Sequence, residues 1–103
     1  MSTIRDVMTE ERERLNELIV FYNKKIEDLP KGSISNKTIN GKKYAYILYR
    51  KKNKVITEYI GPIKSEKAAN LKAKINERRE YETLLKKAKE NLKEVERFFR
   101  GEK

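Results

Sequence analysis

Ser33-Ile34-Ser35-Asn36-Lys37-Thr38-Ile39-Asn40-Gly41-Lys42-Lys43-Tyr44-Ala45-Tyr46-Ile47-Leu48-Tyr49 contains the dipeptide on which the fold turns. Asn40-Gly41 is the pair best suited to the two positive-φ positions of a type I′ hairpin, and it is flanked on both sides by β-rich runs. A second turn is expected at Lys51-Lys52-Asn53-Lys54, followed by a third run, Val55 to Ile60, that Gly61-Pro62 should end. The segment 32–61 therefore reads as a three-stranded antiparallel meander.

Side-chain parity then separates the two faces. A two-residue loop at Asn40-Gly41 sets Ile34 opposite Ile47 and Asn36 opposite Ala45. A two- or four-residue loop around Lys52-Asn53 sets Tyr49 opposite Ile56 and Ala45 opposite Ile60. One face then carries Ile34, Ala45, Ile47, Tyr49, Ile56 and Ile60, with Glu58 as its charged exception. This is a surface to lay on a helix. The other face carries Lys37, Tyr44, Tyr46, Leu48, Arg50, Val55, Thr57 and Tyr59, mixing aromatic rings with cations. Tyr59 depends most on the second turn, because a bulge there would invert the last strand.

The flanks read as helices. Over residues 1–30, Ile4, Met8, Leu15, Leu18, Tyr22, Ile26 and Leu29 recur at threes and fours, with Glu11 interrupting the stripe. Thr3 with Asp6 makes a capping-box pattern, and Thr9 offers a second N-cap before Glu10-Glu11. Pro30 should stop this helix. Ser65 is an N-cap for a second helix over 65–100, with Gly101 as its stop. Its stripe is Ala68, Leu71, Ile75, Tyr81, Leu85, Ala88, Leu92, Val95 and Phe99, and Arg78 occupies one seam position. The expected class is α+β: a long N-terminal helix, a three-stranded basic β head and a long C-terminal helix. The helices should pack as an antiparallel, coiled-coil-like hairpin within one domain spanning 1–103. A homodimer through the helices is another way of covering the same stripes.

Composition narrows the chemistry. The 103-residue chain has no cysteine and no histidine, and 41% of it is charged. Thiolate nucleophiles, imidazole bases and the usual zinc, haem and iron–sulfur ligand sets are thereby excluded. We expect no enzyme activity, no metal and no cofactor. No apolar run approaches the roughly 20 residues that span a bilayer, and Met1 to Asp6 lacks a signal-peptide layout, so no membrane partner and a cytoplasmic location are expected.

The net charge of +10 is unevenly spread. Residues 31–64 carry nine Lys/Arg against one Asp/Glu, whereas 1–30 carry five against seven and 65–103 twelve against eight. An anionic partner would be drawn to the β segment. Its candidate contacts are Lys37, Tyr44, Tyr46, Arg50, Lys51, Lys52, Lys54 and Tyr59, the tyrosines stacking on bases and the cations meeting phosphates. Against this stand plainer readings. Tyrosines are common in strands and a helix could cover them, while lysines at a turn also guard sheet edges. Helix-two cations such as Lys72, Arg79 and Lys86 alternate with glutamates, as on any solvated helix surface.

Leu29-Pro30-Lys31-Gly32-Ser33, Gly41 to Arg50 and Lys54 to Gly61 follow the patterns LPxGS, GxxYxYxxYR and KVxxxYIG. In these the chain resembles an uncharacterised family of small prokaryotic and mobile-element proteins that place such a β segment between two charged helices. The resemblance spans nearly the whole chain and implies no activity. More distantly, the sheet is similar to the three-stranded DNA-binding modules of tyrosine recombinases and to basic hairpins of some transposases. Those modules carry one short helix after the sheet, where this chain has a long one. Two functions are consistent with all of this: binding of DNA or RNA by the β head, or a phage- or mobile-element-encoded adaptor or inhibitor, anti-CRISPR-like or antitoxin-like, that binds an acidic host protein or nucleoprotein.

Overall fold

The computed structural model describes residues 3–101 and has the order α1 (Ile4–Asp28), β1 (Ser33–Ile39), β2 (Lys42–Lys51), β3 (Lys54–Pro62), α2 (Glu66–Arg100). It is α+β, with two helices flanking one antiparallel sheet of order β1-β2-β3. Two compact units divide it: one gathers α1 and the part of α2 from Glu80 onward, the other spans Leu29–Arg79.

In the helical unit, α1 begins where its capping residues dictate. Thr3 N donates to Asp6 Oδ2 at 3.2 Å and Asp6 N donates to Thr3 Oγ1 at 3.1 Å, the reciprocal pair that satisfies donors left over in a first turn. The alternative start at Thr9 is not used. Its hydroxyl donates back to the Arg5 carbonyl at 2.9 Å, as a helix-interior threonine does. Residues 1 and 2 of the expected helix lie outside the described residues. The helix ends at Asp28, ahead of Leu29 and Pro30, because the position before a proline is pushed out of helical geometry.

The two helices pack on each other in antiparallel fashion. Leu15, Ala88 and Val95 form the buried centre, and Met8, Ile19, Tyr22, Leu92 and Phe99 close around it. Arg12 meets Glu96 at 2.9 Å and lies 3.6 Å from the Phe99 ring centroid, while Tyr22 meets Tyr81 at 6.0 Å. Early residues of α1 thus face late residues of α2. An exposed ion pair of this kind contributes roughly 0–1 kcal/mol, so it sets alignment more than stability. One member of the expected stripe is displaced: Ile4 is 72% exposed, whereas Ile19, absent from that stripe, is half-buried against the core.

In the other unit, the first hairpin has the expected register, with Ile34 opposite Ile47 and Asn36 opposite Ala45. Asn40 and Gly41 have φ of 52° and 79°, both in the left-handed region that the turn requires. The second turn is built the same way from Lys52 (φ 48°) and Asn53 (φ 66°), a less accommodating pair, since a lysine gains nothing there to offset the steric cost. Tyr49 lies opposite Ile56, and Tyr46 opposite Tyr59.

The expected pairing of Ala45 with Ile60 does not form. A bulge lies between Ala45 and Tyr46 in the β2–β3 register, so that Ala45 faces Gly61 and Ile60 is the extra residue. Nor does β3 stop before Gly61-Pro62: it runs through both, with Pro62 its last residue, opposite Tyr44. Because β3 is an edge strand, the missing N–H of Pro62 costs no ladder bond.

The aliphatic face is the buried one. Ala45 and Ile47 are buried, as are Ala68 and Ile75 of α2, and an open groove is lined by Ile47, Tyr49 and Ile60 together with Lys67 and Leu71. Burying an isoleucine contributes about 1.5–3 kcal/mol, so Ile47 and Ile75 are the main apolar contributions among the buried residues of this unit. Ser65 caps α2 by accepting from Ala68 N at 3.2 Å, and the Gly101 amide closes its other end on Arg97 O at 3.1 Å. The odd seam residue, Arg78, is explained by a hydrogen bond from Nη1 to the Leu29 carbonyl at 2.8 Å, which occupies an acceptor just past the end of α1.

Glu58, the one carboxylate among nine cations of segment 31–64, accepts a hydrogen bond from the Tyr49 hydroxyl across two strands. That bond, with some desolvation and the neighbouring negative charge, raises the Tyr49 pKa above its ordinary value. A raised folded-state pKa means the contact stabilises fully below the unfolded value, about 10, and is lost as pH rises through the folded value. Chemical denaturation at pH 8 and above pH 10 should therefore show a larger alkaline loss for wild type than for Tyr49→Phe. Identical pH dependence of the two would show that the contact has no such role.

Candidate nucleic-acid interface

The second face of the sheet is open. Strand pleating puts Ser35, Lys37 and Ile39 of β1, Lys42, Tyr44, Tyr46, Leu48 and Arg50 of β2, and Val55, Thr57 and Tyr59 of β3 on this side. Tyr59 is 54% exposed and Val55 62%, and Tyr44 and Tyr46 are half-buried, each in ring contact with Tyr59. No element of the Leu29–Arg79 unit buries these rings.

The three tyrosines form one cluster. Tyr59 lies 6.1 Å from Tyr44 and 5.4 Å from Tyr46 between ring centroids, both pairs inclined rather than stacked. Edge-to-face contact is the favoured arrangement for aromatic quadrupoles. Lys37 Nζ sits 4.6 Å from the Tyr46 centroid, a cation–π contact that holds a positive charge at the rim. Ile39 joins the three rings to line an open groove of about 310 Å³.

A second groove, of about 560 Å³, adjoins the first at Tyr44 and is lined by Gly41, Lys42, Lys43, Pro62, Ile63 and Lys64 as well. The Ile63 amide donates to the Lys43 carbonyl at 3.1 Å, which draws the chain after β3 alongside the start of β2 and sets Lys64 near Lys42 and Lys43. Among the described residues, none of these lysines is engaged in an ion pair.

The expected contact residues are thus divided. Lys37, Tyr44, Tyr46 and Tyr59 are brought together. Arg50 shares their face but lies beyond Leu48 and Thr57. Lys51 pairs with Lys54 and pleats to the opposite side, and Lys52 is in the turn itself, so these three form a separate basic tip at the far end of the sheet. Ile39, Lys42, Lys43 and Lys64 were not among the candidates. Parity from Asn40-Gly41 would have placed Ile39 and Lys42 beside Tyr44, whereas Lys64 reaches the site through a backbone contact that no local pattern announces.

The family model described as "Domain of unknown function (DUF6788)" matches residues 8–69, more than half of the chain. The chain belongs to the DUF6788 family. The matched stretch contains all three strands, both hairpin turns and both grooves, together with most of α1 and the first residues of α2. The DUF6788 domain is thus centred on the sheet, and most of α2 lies outside it. No curated protein and no solved structure matches the chain. Among the described residues of this DUF6788 chain, no three His, Cys, Asp or Glu side chains gather into a possible metal site, and no helix is long and apolar enough to cross a membrane.

Proposed function

We propose that the protein binds nucleic acid, without catalysis of its own, through the open face of the sheet. The observation that carries this reading is the cluster of half-buried Tyr44 and Tyr46 with exposed Tyr59, on a segment with nine cations and one carboxylate, that carboxylate being engaged by Tyr49 on the opposite face. Aromatic faces beside unpaired cations suit bases and phosphates together. A structural role for the rings would favour burial, and Tyr59 is more than half exposed. Lys37 lies at the rim of the cluster, and Arg50 with Lys51, Lys52 and Lys54 adds longer-range attraction. A role in handling the DNA or RNA of a mobile element fits the resemblance of the LPxGS, GxxYxYxxYR and KVxxxYIG segments to such proteins.

Fluorescence anisotropy with short DNA and RNA oligonucleotides over a range of salt tests the proposal. Wild type should bind with a steep inverse dependence on salt, each phosphate contact contributing roughly 0.7 to 0.9 to the log–log slope. Tyr44→Ala with Tyr46→Ala should weaken binding by about 1–3 kcal/mol per stacked base, leaving the slope almost unchanged. Absence of salt-sensitive binding to any oligonucleotide refutes the reading. Retention of an acidic protein by the same face, insensitive to nuclease treatment, would then favour the adaptor or inhibitor role.

A further inference from the structure

We infer that the ligand of this face is an unpaired strand, with one base in the groove of Ile39, Tyr44, Tyr46 and Tyr59 and its phosphates at the β1–β2 end, over Lys42, Lys43 and Lys64. The inference rests on the nucleic-acid reading above and adds which form of nucleic acid is bound and which cations hold it.

Three observations carry it. The tyrosine groove, about 310 Å³, is lined by three tyrosines and one isoleucine, with Lys37 over the Tyr46 ring. Such a lining gains from the flat face of a base, and in a duplex those faces are already covered by neighbouring base pairs. Only an unstacked base can enter. Second, Tyr44 lines both grooves, so the apolar groove and the lysine groove meet at one residue. A base on the tyrosines therefore has its adjoining phosphate delivered to Lys42, Lys43 and Lys64, and no carboxylate among the described residues competes for them.

The third observation concerns the other cations. Arg50 lies four residues from Tyr46 along β2, roughly 13 Å at strand spacing, and the positions between them on this face, Leu48 and Thr57, offer no aromatic surface to a base. Lys51 and Lys54 pleat to the opposite side, as Lys43 does, but unlike Lys43 they line neither of these two grooves. The run Arg50 to Lys54 has the higher charge density in sequence, yet the grooves place the binding at the other end of the sheet.

The test compares a fluorescein-labelled oligothymidylate of about 16 nucleotides, the upper end of compact single-strand site sizes, with a duplex of equal length. Wild type should prefer the single strand by about tenfold or more, the factor expected from one to two stacked bases. Lys42→Gln, Lys43→Gln and Lys64→Gln together should reduce the single-strand salt slope by about 2, and Lys51→Gln, Lys52→Gln and Lys54→Gln together should reduce it by less than half as much. All six positions are exposed or in turns, and circular dichroism confirms that each triple variant is folded. Equal or tighter binding of the duplex overturns the inference, as does a greater slope loss from the Lys51, Lys52, Lys54 variant; in both cases nucleic-acid binding itself stands. Loss of salt-sensitive binding to both probes in wild type overturns the inference and the underlying function together.

Discussion

Leu15→Ala is expected to lower stability by about 2–5 kcal/mol, the range for emptying a fully buried leucine site. Leu15 is 1% exposed and sits at the centre of the helical unit, against Ala88 and Val95. Those two partners are small or β-branched and short, so neither can swing into the space that a shortened Leu15 leaves, and the cavity term is retained. Urea denaturation followed by far-ultraviolet circular dichroism should show a lower midpoint with an unchanged slope. Ile4→Ala is the matched control: the same kind of truncation on the same helix, at a residue 72% exposed, should move stability by no more than about 0.5 kcal/mol. A loss below about 1 kcal/mol at Leu15, or equal losses at both positions, would mean that the helices are not held by this seam.

Gly32→Ala should be the most damaging of the glycine replacements. Gly32 has φ +136°, outside the range that side-chain-bearing residues readily adopt, and a Cβ there would stand 2.6 Å from the Leu48 carbonyl oxygen and 3.2 Å from Ile47 Cγ1. Backbone strain of this kind costs about 1–3 kcal/mol by itself, and the Leu48 carbonyl belongs to a sheet strand that cannot withdraw without giving up its ladder. Gly41→Ala separates the two contributions. Gly41 also has a positive φ, +79°, but a Cβ there meets nothing within 4 Å, so only strain remains. Thermal melts of the two variants should show Gly32→Ala clearly lower. Equal melting temperatures would show that the clash with Leu48 is relieved without cost.

Much of the architecture was legible because single dipeptides and spacings determine it. Asn40-Gly41 decided the first hairpin's register to the residue, and Thr3 with Asp6, Ser65 and Gly101 marked helix ends that the structure places where those residues stand. The bulge was not legible: Tyr59-Ile60-Gly61 reads as uninterrupted strand, and only pairing with β2 reveals that Ile60 has no partner. The division of the basic segment into two ends follows the same line. Charge counting favours Arg50 to Lys54 because four cations are consecutive but for Asn53, whereas Lys42, Lys43 and Lys64 become one group only when the chain after β3 folds back along β2. The tyrosine cluster was visible as a parity pattern, and its openness became visible only once Ala45 and Ile47 were seen to mark the buried face.

Ile60 lets β3 keep two counts at once. From Lys54 to Tyr59 the strand is in phase with the Lys52-Asn53 turn, and from Gly61 onward it is in phase with Ala45, Tyr44 and the chain leading to α2. Without the extra residue one phase would have to yield, since a shift of one position carries every side chain beyond it to the other face. Either Tyr59 would leave Tyr44 and Tyr46, or Gly61 would leave Ala45. A single unpaired isoleucine therefore reconciles a tyrosine face measured from one end of the strand with a helix start measured from the other.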